Sequence, residues 1–361
     1  MDAQIVRMAE FADGRWLNTR HALRKQDLRG QVTLIDFWDF SCVNCLRTLP
    51  YLRLWHDRYG HNGLRIVGVH APEFRFGRSA KQLRSFVIEN DLRYPILLDN
   101  DFETWDRFAV KAWPTKFLVD SRGYIRLRRQ GEGYYREIEL AIQRLLRQQQ
   151  EGVSLPDPLP ALRAQDRPGA ICYRPTPELH AGYAGGGLFG GALGNAEGYV
   201  TESIMAYSLP EADERLIGQF YLEGFWRTGK ETVSYAGQDG GRVMVPYRAA
   251  GVNAVLSPTS DPVELDLNLG NNVGAIVEVR QDGTRLARDR WGTDLKADSA
   301  GNAVVAIDSP GLYRLVRNPG HERHELELIF HASDLALYTF SFETCRAPAG
   351  EEDQSTTFKR P

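Results

Sequence analysis

The stretch LIDFWDFSCVNCLRTLPYL, Leu34 to Leu52, restricts the fold more than any other part of the chain. The apolar, β-rich run from Val32 to Trp38 reads as a buried strand. Cys42 and Cys45 follow as a Cys-x-x-Cys pair. From Cys42 to about Tyr59 the spacing turns helical, with Leu46, Leu49 and Leu52 on one face, and Pro50 is expected to kink that helix. A strand that passes through two thiols directly into a helix leaves three readings open: half of a zinc site, a buried structural pair, or a working dithiol.

The neighbouring pattern alternates. Leu64 to His70 reads as a strand, Ser79 to Asn90 as a helix, Tyr94 to Asp99 as a strand and Asp101 to Val110 as a helix. TKFLVDSRGYIRLRRQG reads as strand, turn and strand, a β-hairpin. In REIELAIQRLLRQQ, Ile138, Ala141, Ile142, Leu145 and Leu146 line one face of a final amphipathic helix. Such alternation predicts a sheet with helices on both faces over residues 1–150.

Composition then shifts. Gln148 to Gly169 is rich in Pro, Gln and Gly, so 151–169 reads as a linker. Beyond it, helical periodicity fades. Val263, Leu265, Leu267 and Leu269 alternate with polar residues, as do Leu326, Leu328 and Phe330, and Tyr338, Phe340 and Phe342. Asp282–Gly283 is a hairpin-turn pair. Residues 170–347 are therefore expected to form an all-β jelly-roll sandwich, followed by a polar tail over 348–361. A chain of 361 residues has length for two such domains.

A net charge of −3 gives no footprint for nucleic acid or an anionic membrane. No segment reaches the ~18 apolar residues of a membrane helix. The start, MDAQIVRMAEFADGRW, lacks a basic n-region and an apolar h-region. The expectation is a soluble, cytoplasmic protein, with export open if the N-terminus is trimmed.

Zinc would need two further ligands. Cys172 and Cys345 stand alone, and His321 and His324 lie three apart on a polar stretch, so spacing argues against a metal, and no cofactor is expected. The dithiol reading has a mechanism. A helix N-terminus stabilises a thiolate at Cys42, and Cys45, one turn on, can resolve a mixed disulfide. Asp36, mid-strand and six residues before Cys42, has its carboxyl pKa raised if buried and could exchange a proton with the resolving thiol. Trp113–Pro114 enters the hairpin and is expected to be cis and packed against the dithiol.

These residues resemble the thioredoxin active-site segment, with Asp36, Phe37–Trp38, the cysteine pair and Pro50 in step. Ser41 stands where that family has Trp, and Val43–Asn44 where it has Gly-Pro. The order GVHAPEF, YPILLDND, WPTKFLVDSRG and GEGYY, with an added segment around Phe74 to Asn90, resembles TlpA-like thioredoxins and the thioredoxin part of DipZ-type proteins. TPELHAGY, FYLEGFWRTGKE and GLYRLVR resemble the carbohydrate-binding-module-like β domain that follows it there. The resemblance implies an α/β thioredoxin-like domain followed by an all-β jelly-roll sandwich domain. It also implies a thiol–disulfide oxidoreductase: Cys42 attacks, Cys45 resolves and Asp36 handles the proton. Trp113, Pro114, Trp38 and Ser41 are expected to bind substrate, with the backbone at Pro114 holding its extended segment and Trp38 packed beneath the motif. Glu73 and Glu132 are candidates for the border of the site. Partners would be a protein or small-molecule disulfide or dithiol and an upstream redox partner.

A thiol peroxidase and a non-catalytic binding or scaffold protein are the rival readings. For a scaffold, Tyr221, Phe225 and Trp226 could offer a glycan-stacking platform, although QFYLEGFW reads better as a core strand. The β domain could otherwise receive a protein. GGGLFG, Gly185 to Gly190, fits a dinucleotide fingerprint only formally, without a flanking strand and helix, and reads as a loop. Cys172 and Cys345 lie near the two ends of the β domain. A bridge between them is conceivable, but two free thiols are expected in a reducing cytoplasm.

Overall fold

The computed structural model describes residues 6–174, 176–185, 192–267 and 274–346. The chain divides into two compact units between Arg167 and Pro168. The first runs β1 (Arg15–Leu17), β2 (Val32–Trp38), α1 (Val43–Tyr59), β3 (Leu64–His70), α2 (Ala80–Glu89), β4 (Ile96–Leu98), α3 (Glu103–Arg107), β5 (Thr115–Val119), β6 (Ile125–Gln130) and α4 (Tyr135–Gln149). Its six-stranded sheet has the order β1-β4-β3-β2-β5-β6. β2, β3 and β4 are parallel, while β1, β5 and β6 join antiparallel.

β2 lies at the centre of this sheet and is buried along its whole length, which is why it reads as a continuous apolar run. Its residues still alternate between faces. Ile35 and Phe37 join Val67, Val69, Phe117, Val119, Trp105 and Phe108 in one core. Leu34, Asp36 and Trp38 point to the other face, where the Trp38 ring meets Phe86 of α2. Full burial of a side chain such as Leu34 contributes about 1.5–3 kcal/mol. One charged residue among these positions therefore stands out.

Helix starts follow their caps. The Ser79 hydroxyl accepts from Gln82 N, which opens α2. α3 is shorter than Asp101 to Val110, and its first N–H groups, of Thr104 and Trp105, donate to the Asp99 carboxylate at 3.0 and 2.8 Å. α1 continues through Pro50. The Pro-rich segment after α4 lies against the first unit. Gln143 Nε2 donates to Pro156 O, Leu159 N to Glu139 and Leu162 N to the Tyr51 hydroxyl.

The second unit contains β7 (Ile171–Cys172), β8 (Leu179–His180), β9 (Ile204–Tyr207), β10 (Tyr221–Thr228), β11 (Val233–Tyr235), β12 (Gly241–Ser257), α5 (Pro262–Leu267), β13 (Ala275–Gln281), β14 (Thr284–Arg285), β15 (Lys296–Ala297), β16 (Ala303–Ile307), β17 (Gly311–Phe330), β18 (Ala336–Glu343) and β19 (Cys345–Arg346). Eleven strands make one sheet, ordered β15-β16-β13-β17-β12-β10-β11-β18-β8, with β14 on β13 and β9 on β10. The far half of β12 also pairs with β18, so β12, β10, β11 and β18 close into a ring around the core. β7 and β19 pair separately as a two-stranded ladder.

The all-β character expected from the alternating runs holds, with one correction. Val263 to Leu267 is helical, not a strand. Pro262 suits a first helical position, Val263 N donates to the Asp261 carboxylate at 2.8 Å, and only Leu265 of the three apolar residues is buried. Tyr221 and Trp226 are buried in a strand, as the core-strand reading of QFYLEGFW expects, and offer a sugar no stacking face, while Phe225 of the same strand is exposed. Leu269 and most of GGGLFG lie outside the described residues.

Candidate active site

The end of β2 delivers the chain into a tight turn that carries the cysteines. Cys42 occupies the cap position of α1, with extended backbone, and its Sγ accepts from Cys45 N at 3.2 Å. The two form a disulfide with Cα atoms 5.3 Å apart. The first turn of α1 holds no acidic residue, so nothing there opposes the dipole's stabilisation of negative charge at Cys42.

Behind the turn, Asp36 is almost wholly buried and pairs across the sheet with Lys116, the residue directly opposite on β5. Lys116 Nζ lies 3.4 Å from Asp36 Oδ1, and both side chains are at most 2% exposed. Burial pushes the Asp36 carboxyl up to about 6, against the opposing pull of the Lys116 ammonium. On the other side of Asp36 its register partner is Gly68. A Cβ on Gly68 would lie 3.0 Å from Trp38 Nε1 and 3.2 Å from the Tyr94 ring, so a larger residue there would require those rings to give way by a few tenths of an ångström.

A second buried carboxylate supports the turn itself. Asp39 accepts from Ser41 Oγ at 2.5 Å and from Glu73 N at 3.3 Å, and it lies 3.0 Å from His70 Nε2. Cys42 N donates to the Asp39 carbonyl. The His70 ring stacks on Phe40 and meets Trp38 edge-on. Trp38 and Ser41 are therefore buried supports, and neither offers a surface to a substrate.

The Trp113–Pro114 peptide is cis. Trp113 is held by its indole N–H, which donates to Ala71 O at 2.9 Å, and by contact with Trp105 at 4.5 Å. The Pro114 carbonyl accepts from Gly131 N, and the β5 ladder begins at Thr115, so the Trp113 main chain lies outside it.

Of the two proposed border residues, Glu73 reaches the turn through its main chain. Glu132 accepts from Arg47 of α1 at 3.2 Å and also pairs with Arg163 of the Pro-rich segment. Arg163 in turn holds Asp166, whose carboxylate accepts from the Tyr51 hydroxyl. Arg47 also reaches Asn44, between the two cysteines, at 3.5 Å.

Lys116, Asp39, His70 and Gly68 were not singled out from the sequence. Lys116 had a signal: TKFLV places one cation in an apolar strand, as LIDFW places one anion. Asp39 and His70 had none, since their partners come from separate segments.

Cys172 and Cys345 are disulfide-bonded. The expectation of two free thiols fails because β7 and β19 pair in a register that sets the two residues directly opposite.

Residues 12–128 match the AhpC/TSA family, and residues 176–342 match a family described as Thioredoxin like C-terminal domain. Protein DipZ of Mycobacterium tuberculosis is 32% identical over 252 residues, 68% of this chain and 34% of that protein. The chain thus spans about a third of the length of the DipZ proteins it matches. Thiol-disulfide oxidoreductase YkuV of Bacillus subtilis is 28% identical over 131 residues, covering 36% of this chain and 87% of that protein. A thiol-disulfide isomerase structure from Corynebacterium glutamicum is 22% identical, with a TM-score of 0.36, covering 40% of this chain and 97% of the other.

Proposed function

From a two-unit chain that joins a thioredoxin-like domain to a Thioredoxin like C-terminal domain, and is homologous to part of the DipZ proteins, we infer a thiol–disulfide oxidoreductase. The observation that carries this reading is the Cys42–Cys45 disulfide at the start of α1.

In the reductive direction the Cys42 thiolate attacks one sulfur of a substrate disulfide. The substrate S–S bond breaks, one substrate thiolate leaves and takes a proton, and Cys42 is held in a mixed disulfide. The Cys45 thiol then gives its proton to the Asp36 carboxylate, directly or through water, and attacks Cys42 Sγ. The second substrate thiol is released and the enzyme disulfide closes. Two electrons have passed from the dithiol to the substrate, and an upstream reductant restores the dithiol. Run backwards, the same steps oxidise a dithiol.

Asp36 suits this role because its carboxyl titrates near 6, closer to a thiol than an ordinary carboxylate is. Lys116 keeps that carboxyl from rising further. Trp113 and Pro114 offer extended main chain beside the turn for a substrate segment. The Cys172–Cys345 bond favours an oxidising compartment over the reducing cytoplasm. Alkylating the protein inside intact cells and mapping those two cysteines tests that placement.

Cys45→Ala should accumulate Cys42-linked mixed disulfides with its substrates, and Cys42→Ser should accumulate none. Wild-type protein that neither reduces insulin nor supports trapping by Cys45→Ala would sink the reading.

A further inference from the structure

We infer that Cys172–Cys345 is a second thiol–disulfide exchange site, opened by a dithiol, which latches the entry of the second unit to β19. Four observations lead there. The ladder that holds the bond, β7 with β19, is separate from the eleven-stranded sheet and outside its core. The two cysteines face each other with Cα atoms 4.0 Å apart. Cys172 is exposed, next to an exposed Ile171, while Cys345 is half-buried. The Thr344 hydroxyl lies 3.8 Å from Cys345 Sγ.

This asymmetry assigns the roles. An incoming thiolate reaches the exposed Cys172 sulfur, where a bond forms as the S–S bond breaks. Cys345 leaves as a thiolate, to which the Thr344 hydroxyl can donate, and a stabilised leaving thiolate speeds exchange. The second thiol of the attacking dithiol then displaces Cys172. The dithiol ends as a disulfide, Cys172 and Cys345 end as thiols, and two electrons and two protons have been transferred.

Opening the bond releases little else. The ladder is reinforced by the bond from Tyr173 N to Thr344 O at 3.1 Å and by the Tyr173 ring stacked on His321 at 4.5 Å. The next anchor along the chain is Thr176, whose hydroxyl donates to Arg248 O on β12 at 2.8 Å. The segment set free is thus the short stretch ahead of Thr176. A purely structural staple behaves differently: it yields only when the unit unfolds.

The test uses the full chain carrying Cys42→Ser and Cys45→Ser, so that Cys172–Cys345 is its only disulfide and the result does not depend on the first dithiol. Dithiothreitol is added without denaturant, new thiols are alkylated, and peptides are mapped by mass spectrometry alongside amide hydrogen exchange. Both cysteines should label about tenfold or more faster than the β12 and β17 amides exchange. Protection should be lost at Tyr173 and kept in the sheet. Labelling no faster than core exchange, or only in denaturant, would overturn the proposal. If the double variant fails to fold, the same peptides are read in the wild-type chain, where Cys42 and Cys45 appear on a different peptide.

Discussion

Asp36 and Lys116 are the buried charge pair on which the proposed proton transfer rests. A carboxyl raised from 3.8 to about 6 keeps its proton in the folded protein up to that pH. Between the two values the native state holds more protons than the unfolded chain, so this group's contribution to stability falls as pH rises from about 4 to about 6. The proposed proton acceptance from Cys45 runs the other way and needs the carboxylate. The rate of mixed-disulfide resolution should therefore rise through about pH 6, and Asp36→Asn should erase that inflection. Lys116→Met removes the cation that holds the pKa down, and the midpoint should move up by about one unit or more. Single-turnover rates against pH measure both; an unmoved midpoint in Lys116→Met would remove Lys116 from the mechanism. At this scale the sequence was legible where a residue broke a pattern. Asp36 interrupts an apolar strand and Cys42 opens a helix. Asp39 and His70 broke no pattern, because a hydrogen bond between distant segments leaves no local trace.

At the scale of elements, β2 and β3 were located to the residue because both are buried almost throughout and read as continuous apolar runs, and α1, α2 and α4 to within one residue at each end because each has one buried stripe. α5 was misread for a physical reason. Six residues hold less than two helical turns, too few to separate a period of 2 from one of 3.6, and here a Pro start and an Asp cap decide. The Pro-rich stretch read as a linker because composition reports local stiffness and not docking. What docks it is a chain of single polar contacts, Arg47–Glu132–Arg163–Asp166–Tyr51. Arg163→Ala should cost about 3 kcal/mol, near the lower end for breaking a buried pair, because Glu132 keeps Arg47. A fall in the urea midpoint at constant m would show it, and an unchanged midpoint would mean that the contacts to Tyr51 and Glu139 suffice.

For the whole molecule, the two units carry one disulfide each, and the two bonds differ in what they close. Cys42–Cys45 spans one helical turn and constrains the unfolded chain little. Cys172–Cys345 is separated by 173 residues, so removing it with Cys172→Ser and Cys345→Ser should lower the second unit's stability by about 5 kcal/mol on the chain-entropy account. Thermal melts of the full chain would check this, with the first unit's transition unmoved. The central claim, that Cys42 and Cys45 form a working dithiol, is tested most directly by their two-electron reduction potential in native buffer. It should titrate reversibly between roughly −270 mV and −120 mV, the span from reducing to oxidising thioredoxin-fold proteins. A pair that does not equilibrate with external thiols, or that lies below about −300 mV as structural disulfides do, would contradict it.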